Sequence, residues 1–248
     1  MGEIPHSNAI HVFANGLKVA RRHLTPQQVQ RYSSAESGNL HEPEEEALLD
    51  KVLRRSSEAG LFVDGGAALG YYSALVARQK PGWHIRAMEP LPRFRDAVTE
   101  TLSLNGLDGD RVHIDDRALS DTDGEVSFVD RAFGSRVLGP SSRAPETPVT
   151  VSSVTLETLL EELSRPIALL KLDIQGHEGA VLEAGRAALS GGQVEALIVG
   201  THGPGLHRNL LALISQSHAI LHEDPAPRGQ PDGLIVAMLK ETPERKSP

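Results

Sequence analysis

Residues 61–73 read LFVDGGAALGYYS, and this segment is the most informative part of the chain about its fold. Its apolar run ends at Asp64, and a glycine-rich turn then leads into residues 71–79, which have a helical pattern. Such a run, turn and helix are typical of a strand and its following helix in an α/β sheet. Ligands of these sheets bind beyond the carboxyl ends of the strands. We therefore expect the turn to form part of a binding site.

The rest of the chain repeats this alternation of short apolar runs and amphipathic segments. Further strands are predicted at residues 84–88, 112–114, 167–172, 194–199, 219–222 and 234–239, with two additional candidates at 125–130 and 149–151. Most of these runs are too continuously apolar to have one face in water, so they predict an α/β fold with a mostly parallel sheet covered by helices on both faces. Residues 223–233 separate the last two strands as in a hairpin, which predicts one antiparallel strand in the edge region.

Composition excludes several classes of function. The 248 residues carry 33 acidic and 25 basic side chains, a formal charge of −8, and 4% aromatic residues, which disfavours nucleic acid as a partner. The absence of cysteine excludes disulfides, thiolate nucleophiles and Cys-ligated metals. No run of about 18 apolar residues could span a membrane. Residues 1–15 lack the pattern of a signal peptide, so we expect a soluble cytoplasmic protein.

The first 42 residues differ from the remainder because they are polar and irregular, with one short helical candidate at Thr25-Pro26. A clear helix follows, with Pro43 at its first position and residues 44–46, all Glu, complementing its positive end. We divide the chain into an N-terminal cap or arm, residues 1–42, and a ligand-binding domain, residues 43–248. Residues 1–42 could be exchanged between two copies of the chain, so a homo-oligomer is possible.

The turn after the first strand lacks the apparatus of a phosphate site. Ala67 stands where the dinucleotide pattern G-x-G-x-x-G needs its second glycine, and the P-loop sequence is absent. Asp64 instead precedes the turn, where a carboxylate would repel a pyrophosphate but can organise an ammonium group. Glu89, followed by Pro90, ends the second strand and suits a vicinal ribose diol. A nucleoside with an amino-acid tail, S-adenosylmethionine (SAM), fits these features.

Four separated segments together resemble the FkbM-type methyltransferases. They are FVDGGAALGYYS (62–73), MEP (88–90), RALSDTDGEVSF (117–128) and LLKLDIQGHEGAVLEAG (169–185). The resemblance covers about residues 45–240. It implies a class I, Rossmann-like, SAM-dependent fold with a seven-stranded sheet, and O-methylation of natural products or sugars.

The resemblance also implies a set of cofactor-binding residues. They are Asp64, Gly65, Gly66, Ala67, Gly70, Tyr72, Ser73, Glu89, Pro90, Asp116, Arg117, Ala118 and Asp173. Residues 116–118 stand where the adenine edge is usually met, and Asp173 borders the methionine moiety.

Three departures from the family pattern lower the charge near the expected substrate. Ala68 replaces a common Asn, Gln175 replaces the usual acid, and Thr201 stands where Glu often precedes the histidine. They weaken any metal assignment taken from the family more than the SAM assignment.

Polar side chains that follow the predicted strands 167–172 and 194–199, the fourth and fifth parallel strands, are candidates for the catalytic residues. A hydroxyl is a weak nucleophile until a base takes its proton, and neutral histidine suits that role. We expect His177 or His202 to be the base, with Asp173 or Glu178 orienting it. The alternative is Mg²⁺ held by Asp173 and Glu178, with His202 as a further ligand. Lys171 lies deeper on its strand and is expected to pair with a buried acid.

These observations predict SAM-dependent methyl transfer to a hydroxyl of a small acceptor. One alternative is a non-catalytic SAM- or nucleoside-binding protein, because the cofactor loop matches the family better than the catalytic segment does. Another is an RNA ribose methyltransferase. The set Lys171, Asp173 and Glu178 faintly resembles the catalytic residues of such enzymes, but the negative net charge of the chain disfavours an RNA substrate. Residues 131–148 form a long polar loop that we expect to cover the substrate.

Overall fold

The computed structural model describes residues 9–107, 109–129, 136–137 and 148–241. The strands are β1 (Ile10–Val12), β2 (Lys18–Ala20), β3 (Gly60–Gly65), β4 (Trp83–Met88), β5 (Val112–Asp115), β6 (Ala118–Leu119), β7 (Gly124–Val129), β8 (Arg136–Val137), β9 (Val149–Val154), β10 (Leu169–Leu172), β11 (Ala196–Thr201), β12 (His218–Asp224) and β13 (Gly233–Leu239). The α-helices are α1 (Pro26–Tyr32), α2 (Pro43–Arg55), α3 (Tyr71–Gln79), α4 (Pro92–Leu104), α5 (Leu156–Leu163), α6 (Glu178–Ala184), α7 (Arg186–Ser190) and α8 (Pro204–Ile214). The predicted lid, residues 131–148, lies largely outside the described residues.

Seven strands form the central sheet in the order β12-β13-β11-β10-β3-β4-β5. The pairs from β11 to β5 are parallel, and β13 is antiparallel to both β11 and β12. The predicted fold class and the terminal hairpin are therefore confirmed. The antiparallel strand lies one position inside the edge, which β12 forms. Strands β3, β10 and β11 are buried along their whole length, which explains their continuously apolar sequences.

Apolar layers cover both faces of this sheet. Successive residues of a strand point to opposite faces, so Phe62 packs in the layer of α2, α3 and α4, and Val63 packs in the layer of α5, α6 and α8. No helix in the described ranges is long and apolar enough to cross a membrane.

The N-terminal segment shares its core with the central domain. Phe13, Leu17 and Tyr32 are buried in the same apolar cluster as α2 and α3. Helix α1 begins with a capping box, in which the side chains and backbone N–H groups of Thr25 and Gln28 bond reciprocally. The helix candidate at Thr25-Pro26 is thus confirmed, while the domain boundary at residue 42 stays a prediction.

A second sheet, in the order β6-β9-β7-β8, follows the last parallel strand β5. It contains both additional strand candidates, since β7 and β9 pair antiparallel from Gly124 to Phe128. Phe128 packs against Leu91 and Phe94. The second sheet therefore contributes an apolar wall next to the carboxyl end of β4.

Candidate active site

A cavity of about 340 Å³ lies beyond the carboxyl ends of β3, β4 and β10. Its walls come from the turn after β3, the second sheet, the segment after β10, the N-terminal segment and the β12–β13 loop. Its size is that of a small-ligand site. The residues of the expected SAM set that line it are Asp64, Gly66, Ala67, Tyr72, Glu89, Pro90, Ala118 and Asp173.

The glycine-rich turn brings β3 and β10 into close contact at this cavity. Gly66 has φ +85° and Gly70 has φ +71°, both in the left-handed region that glycine adopts easily. A Cβ atom at Gly66 would collide with the backbone oxygen of Asp173, and one at Gly70 would lie 2.9 Å from Cα of Val98. Gly65 is a buried residue of β3 itself. The glycines therefore permit the turn to approach the segment that carries Asp173.

Asp64 is held rigidly at the cavity wall. Its side chain is buried, and its Oδ2 accepts a hydrogen bond of 2.6 Å from the hydroxyl of Ser73 on α3. Burial raises the pKa of Asp64, and the nearby ammonium of Lys171 opposes that rise. A fixed carboxylate here suits the positively charged end of an amino-acid tail.

Glu89 has the geometry that a ribose diol requires. Its Oε1 accepts from the backbone N–H of Leu91 at 2.9 Å, and its Oε2 accepts from the N–H of Ala68 at 3.0 Å. Each carboxylate oxygen has a second lone pair, so both can accept from neighbouring hydroxyls. Burial raises the pKa of Glu89 to about 7.

The wall beyond Glu89 is apolar and suits a nucleobase. It is formed by Met88, Phe94, Ala118, Leu119, Phe128 and Val137. Asp116 is exposed and Arg117 bonds to Asp115 and Glu162, and neither residue lines the cavity. Of residues 116–118, the structure therefore brings only Ala118 to this wall. Together with the turn, Asp64 and Glu89, the wall fits SAM, and the individual contacts stay predictions.

Two of the departures from the family pattern lie in strained backbone. Ala68 has φ +46° and Gln175 has φ +57°, where Asn is tolerated better than most residues. Each such residue costs about 1–2 kcal/mol. Gln175 offsets part of this, because its Nε2 donates to Oδ1 of Asp173 at 3.1 Å. An acidic side chain at position 175 would repel Asp173, whereas Gln175 donates a hydrogen bond to it.

Lys171 is buried among carboxylates, as the sequence predicted. Its Nζ lies 3.5 Å from Oε1 of Glu45 and 3.8 Å from Oδ2 of Asp173, and it sits 4.5 Å from the ring centre of Tyr72. Burial alone would lower the pKa of Lys171, but the surrounding carboxylates raise it well above its ordinary value. Tyr72 donates to Oε2 of Glu42 at 2.8 Å. Lys171 therefore compensates the charge of the carboxyl groups packed around it, Glu45 of α2 and Asp173 directly after β10.

The acids at the start of α2 are only partly the helix-end charges that the sequence suggested. Glu45 and Glu46 are buried, and Glu46 accepts hydrogen bonds from Tyr71 and Asn15. The sequence does hold a signal for this. Glu45 lies four residues before the buried Leu49, so it falls on the apolar stripe of the helix.

His202 lies among three carboxylates. Its Nδ1 is 3.1 Å from Oε1 of Glu178, and its Nε2 is 3.4 Å from Oδ1 of Asp173 and 3.3 Å from Oδ1 of Asp232. Burial by itself would lower the pKa of His202, but the nearby carboxylates of Asp173 and Glu178 raise it to about 10. The ring is therefore protonated at neutral pH. This favours a charge-balancing role over the expected role of a base.

The structure separates the other candidate histidine from this cluster. Nε2 of His177 lies 2.9 Å from Oδ1 of Asp121 and 3.2 Å from the hydroxyl of Ser120. Neither His177 nor His202 is among the described residues that line the cavity. The geometry therefore disfavours a contact between either imidazole ring and an acceptor bound in the cavity.

Glu178 closes the loop that follows β10. Its side chain is fully buried and accepts hydrogen bonds from the backbone N–H groups of Ile174 and Gly176, at 2.9 Å and 3.0 Å. It opens α6, where a carboxylate also stabilises the helix end. These hydrogen bonds hold the loop between Asp173 and α6, and the predicted catalytic role of Glu178 stays a prediction.

The expected Mg²⁺ ligands do not fit a single ion well. Asp173, Glu178 and His202 each bring one ligand atom within 4.8 Å of the others. The imidazole ring, however, lies between the carboxylates, with Nδ1 toward Glu178 and Nε2 toward Asp173. A metal needs lone pairs that converge on one point, whereas a protonated ring donates on both sides. The arrangement fits an imidazolium better than a metal ligand.

Several cavity residues escaped the sequence analysis. Asp232 of the β12–β13 loop lines the cavity, and burial together with Asp173 raises its pKa to about 6. His41, to which the sequence assigned no role, lines it as well. Burial lowers the pKa of His41 to about 3, and its Nδ1 bonds to the hydroxyl of Tyr32 at 2.6 Å. Both residues stand in polar segments without a distinguishing pattern.

Solved structures are similar to this chain at low sequence identity. A protein of Clostridium thermocellum, provisionally described as an rRNA methylase, is similar with a TM-score of 0.51 and 8% identity over 80% of this chain and 97% of that chain. Precorrin-6y C5,15-methyltransferase of Geobacter metallireducens GS-15 is similar with a TM-score of 0.49 and 13% identity, over 96% of this chain and 100% of that chain. TrmK of M. capricolum, bound to S-adenosylhomocysteine (SAH), is similar with a TM-score of 0.48 and 11% identity, over 81% of this chain and 71% of that chain. The first similarity bears on the fold alone.

The family comparison bears on the site itself. No curated protein matches the chain. The profile of the methyltransferase FkbM domain, however, matches residues 64–218. The match begins at the acid that precedes the glycine-rich turn and extends through the segments that carry Glu89, Asp173 and His202. The chain therefore belongs to the FkbM methyltransferase family.

Proposed function

We propose that this protein transfers a methyl group from SAM to a hydroxyl group of a small molecule, such as a natural product or a sugar. Membership in a methyltransferase family supports SAM as the methyl donor. One observation carries the proposal for the acceptor. The same cavity is lined by residues that suit SAM, such as Asp64 and Glu89, and by a carboxylate that can take a proton, Asp232.

The chain itself has to position the reactants and remove a proton. When bound, SAM supplies a methyl group that is already activated on a sulfonium. Alignment of two bound reactants can contribute about 7–11 kcal/mol to lowering a barrier. The close contact of Gly66 with Asp173, and the fixed carboxylates of Asp64 and Glu89, are the features that support such alignment here.

Asp232 is the residue that we propose as the proton acceptor, in place of His177 or His202. Its carboxylate faces the cavity and has a pKa of about 6, raised by burial and by Asp173. It is thus ionised at neutral pH yet more basic than an ordinary aspartate, which suits general base catalysis. The protonated His202, 3.3 Å away, compensates its charge and positions it.

A small acceptor is favoured over RNA by the size and charge of the site. The cavity has a volume of about 340 Å³, and most of the charged side chains that line it are acidic. The chain as a whole has a formal charge of −8. Phosphate backbones bind to basic surfaces. The binding-only alternative differs from the enzyme in one observable, because only an enzyme releases SAH from SAM when a hydroxylated acceptor is added.

Calorimetric titration with SAH tests the cofactor site. We expect wild-type protein to bind SAH and not NAD⁺, and the Glu89→Ala variant to bind SAH about 10–100-fold more weakly, because it loses charged hydrogen bonds to the ribose. Asp64→Ala should weaken binding as well. Glu125→Ala, at an exposed position of β7, serves as the control. Wild-type protein that binds no SAH would refute the proposed function.

Chelation tests the metal alternative. SAH release with a hydroxylated acceptor should stay within about twofold after exhaustive treatment with EDTA, because the reaction needs Asp232 and no divalent cation. The treated protein is assayed with and without added Mg²⁺. Activity that disappears on chelation and returns with Mg²⁺ would show that the metal mechanism is correct.

A further inference from the structure

The charges that line the cavity are unbalanced. Five acidic side chains face it, and the basic ones among the described lining residues, apart from His41, are Arg31 and Lys171. SAM brings an ammonium and a sulfonium, which suit the acids, but it also brings a carboxylate. Any anion in this cavity must avoid the acids and find one of the two cations.

Lys171 is not available to such an anion. Its ammonium is buried between Glu45 and Asp173 and over the ring of Tyr72. An anion that displaced it from these partners would leave buried carboxylates without a countercharge.

Arg31 is placed differently. Its guanidinium is half-buried at the cavity wall, 5.3 Å from the ring centre of Tyr32. In the described part of the chain, no carboxylate lies within ion-pair distance of it. Its charge contributes to the pKa shifts of His41 and Glu42, which places it toward the part of the cavity formed by the N-terminal segment.

Gln28 adds a second donor on the same side. It lies three residues before Arg31 on α1, so both side chains project from one face of the helix, and both line the cavity. Its Oε1 accepts from the backbone N–H of Thr25 at 2.9 Å, which fixes the orientation of the amide. Its Nε2 has no hydrogen-bond partner within the described ranges. A guanidinium fork beside a fixed amide N–H₂ is a donor set that matches carboxylate or phosphate oxygens.

We propose that Arg31 and Gln28 form a binding site for an anionic oxygen group, a carboxylate or a phosphate, of a ligand in this cavity. Two ligands can supply that group, the methionine carboxylate of SAM and an acidic acceptor. The second source rests on the proposed function. In either case the five acidic side chains repel the anion and the apolar wall offers it no partner, so Arg31 determines the orientation of the ligand that it binds.

Titrations of Arg31→Gln distinguish the two sources. The ligands are SAH and 5′-methylthioadenosine, which lacks the amino-acid tail. If the site binds the cofactor carboxylate, the variant should bind SAH about 10–100-fold more weakly and 5′-methylthioadenosine unchanged. Arg31→Lys should restore part of the affinity because it keeps the charge and loses the fork. Arg55→Gln removes the same charge from an exposed position of α2 as the control.

If the site binds the acceptor, SAH affinity should be unchanged in Arg31→Gln. Inorganic phosphate should then bind to SAH-saturated wild-type protein and not to the SAH-saturated variant. Equal SAH affinity together with equal phosphate binding in wild type and variant would overturn the proposal. Wild-type protein that binds phosphate through Arg31 but no SAH would refute the proposed function and leave the anion site standing.

Discussion

The Lys171→Met variant is expected to be less stable than the wild-type protein by about 3–5 kcal/mol, because it leaves buried carboxylates without their countercharge. The ammonium of Lys171 lies 3.5 Å from Glu45 and 3.8 Å from Asp173. Methionine has a similar volume, so packing changes little. The free energy of unfolding is measured by urea denaturation at neutral pH.

Two further variants show whether the charge is responsible. Lys51→Met, at an exposed position of the same helix as Glu45, should change the unfolding free energy by less than about 0.5 kcal/mol. Adding Asp173→Asn to Lys171→Met should recover about 1–2 kcal/mol, because burial disfavours the ionised Asp173 once Lys171, which lowers its pKa, is gone. A loss below about 1 kcal/mol in Lys171→Met would show that the buried acids are neutral without it.

The Asp232→Asn variant is expected to lose about 10²–10⁴-fold in kcat for methyl transfer, because an amide cannot accept the hydroxyl proton. Its SAH affinity should change little, since the cofactor contacts are expected at Asp64 and Glu89. The rate of SAH release is measured at saturating SAM with a hydroxylated acceptor. Asp96→Asn, at an exposed position of α4, is the control.

The pH profile gives a second readout for this residue. Asp232 has a pKa raised to about 6, so it is protonated below that pH and cannot act as a base. The wild-type kcat should therefore fall as the pH drops through about 6, and Asp232→Asn should lack this step. The groups that face Asp232 are Glu42, Asp173, Glu178 and His202. If Asp232→Asn keeps most of the activity and also keeps the step near pH 6, Asp232 is not the base.

The fold, and the placement at the cavity of the residues predicted to bind the cofactor, follow from sequence because their signals are local. The run that ends at Asp64, and Gly66 in the turn behind it, lie within a few residues of each other. Glu89 ends the next strand, and parallel strands bring their carboxyl ends to one edge of a sheet. A residue at the end of such a strand is therefore placed by the fold class alone.

Only the tertiary structure decided what faces the cavity from distant parts of the chain. Arg31 on α1 and Asp232 in the last hairpin loop line it, and Glu45 on α2 pairs with Lys171 in its wall, although nothing near them in sequence predicts this. A glutamate near a helix start is favourable whether it points into water or toward a buried ammonium. His177 and His202 both follow strands, yet they contact different acids. Sequence places such side chains at the right edge of the sheet, but their direction depends on packing between segments that are far apart in the chain.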